Sequence, residues 1–463
     1  MMESTVVAET QRRAPAAPAG VPAGLPPQPK TVRDTGLDQA LIVELIAKLM
    51  YTAGKTQLPV LTGKLRLSIN VLREVLDFML AEQLVEIAWR GDSDLDVQYQ
   101  LTSGGKLRAA DSLSRSRYVG PAPVTLQAYR EAVARQSRHA SGAARTGAAE
   151  VDAVFADDGL EPALREQLGA AMQSSRSLLL YGPSGSGKTT LARKLGQLQQ
   201  GVIGVPYAIL VDQQLIQFYD PLLHLAPSPL QPRPPEDRRG TDTRWALCQR
   251  PLVQVGAELS ADMLDLRHDQ ASGVYHAPPH FMANSGILVV DDLGRQRLPV
   301  AELLNRWSGP LDAGCDQLTM SGGHKVSVPL DLTLVLVTNL APQLLLDEAF
   351  LRRLGYKIGV GALAQAAYRA LFKRQCRQAR IACDDAALEH LVSRLHGGSG
   401  RAMLASTPRE LLARIADFAG ARGAAPCLTV ATLEQAWTSM FAGCGALSAP
   451  SLGAVPLHHA SGS

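Results

Sequence analysis

The feature that most constrains this chain is the segment GPSGSGKTT at residues 182–190, directly after the short apolar run SLLLY at 177–181. It has the pattern G-x-x-x-x-G-K-[ST], and it stands in the context that the pattern requires, between a predicted buried strand and a predicted helix. Glycines at this spacing let successive backbone N–H groups turn toward one ligand and cradle phosphate groups. The positive dipole end of the following helix adds to the attraction. The sequence therefore predicts a loop that binds a nucleoside triphosphate.

Within this loop two side chains have specific predicted roles. Lys188 reaches the outer phosphates, and the hydroxyl of Thr189 is a ligand for Mg²⁺. The complete predicted phosphate-binding set is Gly182, Pro183, Ser184, Gly185, Ser186, Gly187, Lys188, Thr189 and Thr190.

A second predicted strand, GILVVDD at residues 286–292, ends in two acids. Four apolar residues before two carboxylates indicate a buried parallel strand that delivers polar groups at its C-terminal end. There Asp291 would hold the Mg²⁺ hydration shell, and Asp292 would orient or deprotonate an attacking water. The alternative, a core strand that ends in a solvated turn, is weakened by the loop upstream.

Three later segments carry further candidates. The apolar strand LTLVLVTN ends at Asn339, where a ligand crevice is expected. Arg352 and Arg353 are adjacent in DEAFLRRLGYK, and Arg409 follows a proline at the start of the helix TPRELLARI. Each arginine also has an ordinary interpretation: cations suit the C-terminal end of a helix, and Arg409 is compatible with a solvent-facing position.

Taken in order, these segments resemble the AAA+ ATPase family over about residues 150–440, with GPSGSGKT as Walker A and ILVVDD as Walker B. The resemblance implies ATP hydrolysis with Mg²⁺, bound through Thr189 and Asp291. It also implies that Asp292 and Asn339 (sensor 1) place the water, and that Arg409 is sensor 2. The arginine finger, Arg353 with Arg352 as second choice, would act across a subunit interface, so a homo-oligomeric ring is implied, with a hexamer as the expected form.

One position departs from the family. Walker B usually ends in Asp-Glu, whereas this chain has Asp291-Asp292. Aspartate is one methylene shorter, and a misplacement of about 1 Å can cost on the order of a hundredfold in rate. Slow, switch-like turnover is therefore compatible with this site.

A second resemblance is weaker. The segment MSGGH at residues 320–324 is similar to the LSGGQ signature of ABC transporter ATPases, but it follows Walker B instead of preceding it. The surrounding residues alternate apolar and polar around Gly322-Gly323, which favours a β-hairpin.

Upstream of the ATPase-like segment, residues 37–118 read helix, helix, helix, strand, turn, strand, which resembles a winged-helix domain. Its third helix and its turn are acidic where a DNA-binding module would be basic; the acids are Glu74, Asp77, Glu82, Asp92, Asp94 and Asp96. Docking of a protein client, not yet identified, is the first interpretation. DNA binding is possible but disfavoured, and a structural cap also stays open.

The predicted fold class is an α/β P-loop NTPase with a three-layer core around a parallel sheet, a C-terminal α-helical lid and a preceding winged-helix (α+β) domain. The predicted organisation is a disordered segment at 1–36, the winged-helix-like domain at 37–118, a linker at 119–150, the ATPase core at 151–358, the lid at 359–441 and a flexible tail at 442–463.

Composition excludes several classes. The net charge of +3 over 463 residues makes no global electrostatic case for nucleic acid or membrane. No apolar stretch approaches the length of a membrane span, and the first residues lack a secretory signal pattern. The 6 cysteines include no C-x-x-C pair, which indicates reduced thiols and a cytoplasmic location.

Overall fold

The structure is a computed structural model and describes residues 25–92, 96–137, 146–227, 240–345 and 347–442. The predictions for residues 1–24, for Asp94, and for the tail beyond residue 442 lie outside these ranges. Within them, no helix is both long and apolar enough to span a membrane.

The helices are α1 (Gln39–Ala53), α2 (Leu58–Leu65), α3 (Ile69–Ala81), α4 (Ser103–Arg115), α5 (Leu126–Gln136), α6 (Ala148–Phe155), α7 (Pro162–Ser174), α8 (Lys188–Lys194), α9 (Pro279–Met282), α10 (Val300–Ala313), α11 (Pro342–Leu345), α12 (Glu348–Arg353), α13 (Gln365–Ala379), α14 (Asp385–His390), α15 (Gly397–Ser399), α16 (Thr407–Ala421) and α17 (Val430–Phe441). The strands are β1 (Thr56–Gln57), β2 (Val85–Arg90), β3 (Val97–Leu101), β4 (Val124–Thr125), β5 (Leu178–Tyr181), β6 (Val202–Pro206), β7 (Ala208–Val211), β8 (Gln214–Gln217), β9 (Trp245–Gln249), β10 (Leu252–Val255), β11 (Arg267–Asp269), β12 (Val274–His276), β13 (Gly286–Val290), β14 (Cys315–Thr319), β15 (Lys325–Pro329), β16 (Leu332–Thr338) and β17 (Tyr356–Gly359).

The centre of the molecule is a parallel sheet of 5 strands in the order β10-β13-β16-β5-β17. Alternate residues of its strands enter two separate cores. Leu178, Leu180 and Val289 pack with α6, α7 and α8 on one face, whereas Leu179 and Leu288 pack with α10 and α12 on the other. Both faces are therefore covered, as the continuous apolar runs of these strands require. The predicted strands at 177–181, 286–290 and 332–338 are confirmed.

The segment 37–118, the N-terminal unit, has one core shared by α1, α2, α3 and the antiparallel sheet β1-β3-β2. The three helices and two strands predicted from periodicity are each found. The structure adds β1, which pairs with β3. Helix α4 follows β3 and begins where the Thr102 hydroxyl accepts a hydrogen bond from the Gly105 N–H.

The predicted linker at 119–150 is wrong for its described part. Strand β4 and helix α5 lie there, and β4 is the edge of a second sheet in the order β11-β12-β8-β7-β4. This sheet, the hairpin β14-β15 and the pair β6-β9 enclose one core and are here called the small β unit. The large buried side chains of this core include Tyr129, Phe218, Trp245 and Phe281. Helix α5 has few large apolar residues, so its burial depends on partners distant in the chain and no local pattern indicates it.

The predicted disorder at 1–36 is also wrong for residues 25–36. Ser68 Oγ donates a hydrogen bond to the Pro29 carbonyl at 2.6 Å, and the Val32 N–H donates to the Glu74 carboxylate at 3.0 Å. A Pro- and Ala-rich segment cannot build a core of its own, but here it is held by groups on α3 and at its N-cap.

The predicted hairpin is confirmed. The segment around Gly322-Gly323 is the turn of the antiparallel hairpin β14-β15, with both glycines at positive φ. Helices α13, α14, α16 and α17, between Gln365 and Phe441, share one core and are here called the C-terminal helical unit. A π-helical turn, Leu391–His396, extends α14 toward α15.

The segments on either side of the N-terminal unit are joined to the small β unit through the buried side chain of Arg244, which is 4% exposed. Its guanidinium donates to both carboxylate oxygens of Asp242, at 2.7 Å for the shortest contact. It also donates to the carbonyls of Thr35 and Pro123, each at 3.0 Å. All three nitrogens of the guanidinium therefore donate hydrogen bonds, and together they connect the segments at Thr35, Pro123 and Asp242.

We expect Arg244→Met to lower the free energy of unfolding by about 3–5 kcal/mol, because the carboxylate of Asp242 would be left buried and unpaired. The measurement is equilibrium denaturation, with the exposed Arg108→Met as the matched control. Replacing both partners, Asp242→Leu with Arg244→Met, should recover part of the loss. An Arg244→Met chain as stable as the Arg108→Met chain would contradict this account of the junction.

Candidate functional site

The loop 182–187 between β5 and α8, here called the glycine loop, has a backbone that only glycine allows at several points. Gly182, Gly185 and Gly187 have φ of 145°, 83° and 97°. A Cβ on Gly182 would lie 2.2 Å from the Val360 carbonyl oxygen. The glycines therefore serve both the curvature of the loop and its close packing beside the end of β17.

The side chain of Lys188 lies inside this loop. The residue is 5% exposed, and its Nζ donates to the carbonyls of Gly182 and Pro183 at 2.9 and 2.8 Å. Burial lowers the pKa of Lys188, while the nearby carboxylates of Asp292 and Asp291 oppose that shift. A cation enclosed by a turn of backbone is an arrangement suited to an anion at the N-terminus of α8.

The hydroxyl of Thr189 donates to Asp291 Oδ1 at 3.0 Å, across 102 residues of sequence. The other oxygen of Asp291 accepts from Gln254 Nε2 at 3.0 Å, and Gln254 Oε1 in turn accepts from Arg193 at 2.7 Å. The two predicted metal ligands are thus adjacent. Gln254 was not predicted, because the sequence does not show that its short strand, β10, pairs with β13.

Asp292 and Asn339 are also brought together, since Asn339 Nδ2 donates to Asp292 Oδ1 at 3.0 Å. Asp292 has φ of 51°, in the left-handed region that few non-glycine residues adopt. Gln296 supports this turn by donating to the Asp291 carbonyl at 2.8 Å. A strained backbone held by side-chain hydrogen bonds is typical of functional sites.

A cleft of about 510 Å³ lies between the glycine loop and the C-terminal helical unit, within the size range of small-molecule sites. Its lining includes Ser184 to Leu191, Asp291, Asp292, Asn339 and, from the C-terminal helical unit, Leu371, Arg374, Gln375, Gln378, Ala405, Ser406 and Arg409. The Ser406 N–H donates to the Gly185 carbonyl at 3.0 Å, which couples this unit directly to the loop.

Among the predicted arginines, only Arg409 lines the cleft. Arg353 forms an ion pair with Asp312 at 3.0 Å, and its side chain is 41% exposed. Arg352 pairs with Glu348 one helical turn away, and both of these side chains are exposed. Neither Arg352 nor Arg353 belongs to the cleft of its own chain.

Sequence reasoning missed Arg374, Gln375 and Ser406. The first two lie on the amphipathic helix α13, where polar positions are ordinarily assigned to solvent. Ser406 directly precedes the motif TPRELLARI, and no pattern in the sequence distinguishes it from an ordinary residue before a helix.

Comparisons with known proteins give one family match and several distant structural neighbours. Residues 364–439 match a domain of unknown function, DUF8689, and no curated protein matches the chain. Solved structures that match part of the chain include NtrX from Brucella abortus in complex with ATP, at 18% identity and a TM-score of 0.37, covering 60% of this chain and 55% of that one. This chain thus spans about half of the length of NtrX. RuvB from Thermotoga maritima, described as a Holliday junction branch migration motor, is 16% identical with a TM-score of 0.34, covering 60% of this chain and 67% of its own.

Proposed function

We propose that this protein is an ATPase of the AAA+ type that binds and hydrolyses ATP with Mg²⁺. The observation that carries the proposal is the contact of 3.0 Å between the Thr189 hydroxyl and the Asp291 carboxylate, beside the buried ammonium of Lys188. Hydroxyl and carboxylate oxygens are the ligands that Mg²⁺ takes in nucleotide sites, usually together with waters and substrate phosphates. Thr189 is in the first turn of α8, so this metal position lies next to the glycine loop.

The residues present fit this metal and this substrate. Bound Mg²⁺ would neutralise charge on the transferred phosphoryl group, and Thr189 and Asp291 would hold it. Lys188 would exchange the carbonyls of Gly182 and Pro183 for phosphate oxygens, gaining a charge-assisted hydrogen bond.

The water-activating role belongs to Asp292, with Asn339 as its partner. The hydrogen bond between them limits the rotation of the carboxylate, so a water bound to both would lie in a defined place. Arg409 reaches the same cleft from the C-terminal helical unit and would report the presence of nucleotide to that unit.

Lys188→Ala should bind ATP at least tenfold more weakly, because a buried phosphate loses its cation. Asp292→Asn should bind ATP with little change and hydrolyse it at least a hundredfold more slowly. Nucleotide affinity and phosphate release are the measurements, with and without EDTA, and the exposed Lys325→Ala is the control. Wild-type turnover by Asp292→Asn would refute the water-activating role, and Asp292→Glu tests whether the shorter acid slows the enzyme.

We further propose that the active form is a ring, with a hexamer expected. Arg353 is exposed and does not line the cleft of its own chain, so a finger role requires the cleft of a second chain. Its partner Asp312 is on α10, the helix that follows the proposed Walker B strand. Arg353 would have to leave this ion pair in order to reach a second chain.

Arg353→Ala should bind ATP normally and hydrolyse it slowly, since fingers supplied in trans contribute roughly 10³–10⁵ in rate in related GTPase systems. Mixing Arg353→Ala with Lys188→Ala should restore part of the activity, because some interfaces then combine an intact cleft with an intact finger. Arg352→Ala is the matched control and should need no rescue. Absence of rescue, together with a monomeric chain in ATP by light scattering, would remove the ring from the proposal.

The N-terminal unit is proposed to be a winged-helix module that binds a protein client for remodelling, in a cytoplasmic enzyme. Its element order, three helices followed by an antiparallel strand pair, supports the module. Asp77 and Glu82 are exposed on and after α3, and Asp92 is exposed beyond β2. Arg115, the last residue of α4, is paired with Glu44 and Asp111, each at 3.2 Å. These charges disfavour a phosphate backbone, so the DNA-acting alternative is second.

Asp92→Lys with Asp96→Lys should abolish capture of the client by a full-length Asp292→Asn trap while leaving the ATPase rate of the otherwise wild-type chain unchanged. Asp111→Lys, on α4, is the control for added positive charge. A sequence-specific DNA footprint of the unmodified chain at physiological salt would reverse the order of the two alternatives, because non-specific phosphate binding is weak at that salt.

A further inference from the structure

The cleft has two chemically different ends. Lys188, Thr189 and Asp291 surround the end where the triphosphate would lie. The opposite wall consists of Leu160, before α7, and Leu371, Arg374, Gln375 and Gln378 on α13. If the triphosphate occupies the glycine loop, the base must lie against this wall.

The wall is held in place by contacts outside the cleft. Arg374 forms an ion pair with Asp157 at 2.9 Å, which ties α13 to the turn after α6. The neighbouring residue of that turn, Asp158, pairs with Lys194 at 2.5 Å on α8, the helix of the glycine loop. These two ion pairs connect α13 to α8 through two adjacent residues of one turn.

Gln375 is the unexplained group of this wall. Its carbonyl oxygen Oε1 is buried and has no hydrogen-bond partner within the described ranges of the chain. The Nε of the adjacent Arg374 is a buried donor in the same condition. Buried polar atoms are nearly always paired in proteins, so an acceptor and a donor left unpaired at a ligand cleft point to a ligand that completes them.

We propose that Gln375 selects the base of the nucleotide, with its carbonyl oxygen accepting a hydrogen bond from the exocyclic amino group of adenine. The proposal rests on the proposed function. An amide is the side chain that pairs with an adenine edge, since it matches the amino group beside a ring nitrogen. Gln375 and Arg374 both line the cleft, so a base bound there would pair through its amino group with the Gln375 oxygen and through a ring nitrogen with Arg374 Nε. Guanine has a carbonyl in place of the amino group, so the two oxygens would face each other.

The test is the affinity of the full-length protein for ATP, GTP and purine riboside triphosphate, which lacks the amino group. The wild-type chain should bind ATP about 10–100-fold more tightly than either analogue, the range of a good amide–adenine pair. Gln375→Met should bring the three affinities within about threefold of one another. Gln365→Met, the same change on the same helix outside the cleft, should keep the wild-type preference. Gln375→Glu, which retains an acceptor, should keep more of the preference for ATP than Gln375→Met does.

Three results would overturn the assignment: equal affinity of the wild-type chain for ATP and purine riboside triphosphate, an undiminished preference in Gln375→Met, or a preference for GTP. If Gln375→Met does not fold, the comparison of ATP with purine riboside triphosphate on the wild-type chain decides. Failure of the proposed function looks different, because the wild-type chain would then bind no nucleotide, or would bind it equally well after Lys188→Ala.

Discussion

Strand β16 pairs in parallel with β13 on one side and with β5 on the other, and the geometry of the candidate site depends on this pairing. Parallel pairing places the C-terminal ends of all three strands at one edge of the sheet. Asp292 after β13 and Asn339 after β16 therefore meet at hydrogen-bond distance, and Thr189 after β5 reaches the carboxylate of Asp291. The apolar side chains that hold the strands together are buried on both faces, so the edge is rigid where the polar groups project.

The C-terminal helical unit completes the cleft. It contacts the glycine loop through the backbone of Ser406 and lines the cleft through Arg409 and α13. Its own core fixes these elements relative to one another: His396 is buried between the Tyr368 hydroxyl and the Arg401 carbonyl, at 2.9 Å from each. A change at the phosphates would therefore reach the whole unit, because the loop that holds Ser406 and the helix that holds Gln375 belong to one packed body.

The N-terminal unit is joined to the rest by buried hydrogen bonds instead of a free tether. Arg244 links the segments that flank this unit, at Thr35 and Pro123, to the small β unit. Arg250 donates to the carbonyls of Gln136 and Ser285, so the small β unit is linked to the start of β13. These two arginines therefore form a series of buried contacts between the segments that flank the N-terminal unit and the start of β13. For the proposed function, this arrangement favours a client that moves together with the N-terminal unit and the small β unit, over a client held by a freely moving N-terminal unit.

The amino-acid sequence by itself determined the glycine loop, the acids that end β13 and the polar end of β16, because each is a short motif whose meaning depends on residues within a few positions. Periodicity also sufficed for the helices of the N-terminal unit and of the C-terminal helical unit, whose cores repeat at helical spacing. Tertiary structure alone decided the rest. Helix α5 and residues 25–36 are ordered by partners far along the chain, Gln254 becomes a partner of Asp291 only after two strands align, and Gln375 is distinguished from other polar helix residues only by the cleft it lines. The physical reason is the same for each of them: hydrogen bonds and burial between residues distant in sequence leave no local pattern. A polar residue on a helix gives the same sequence pattern whether its side chain faces water or a ligand.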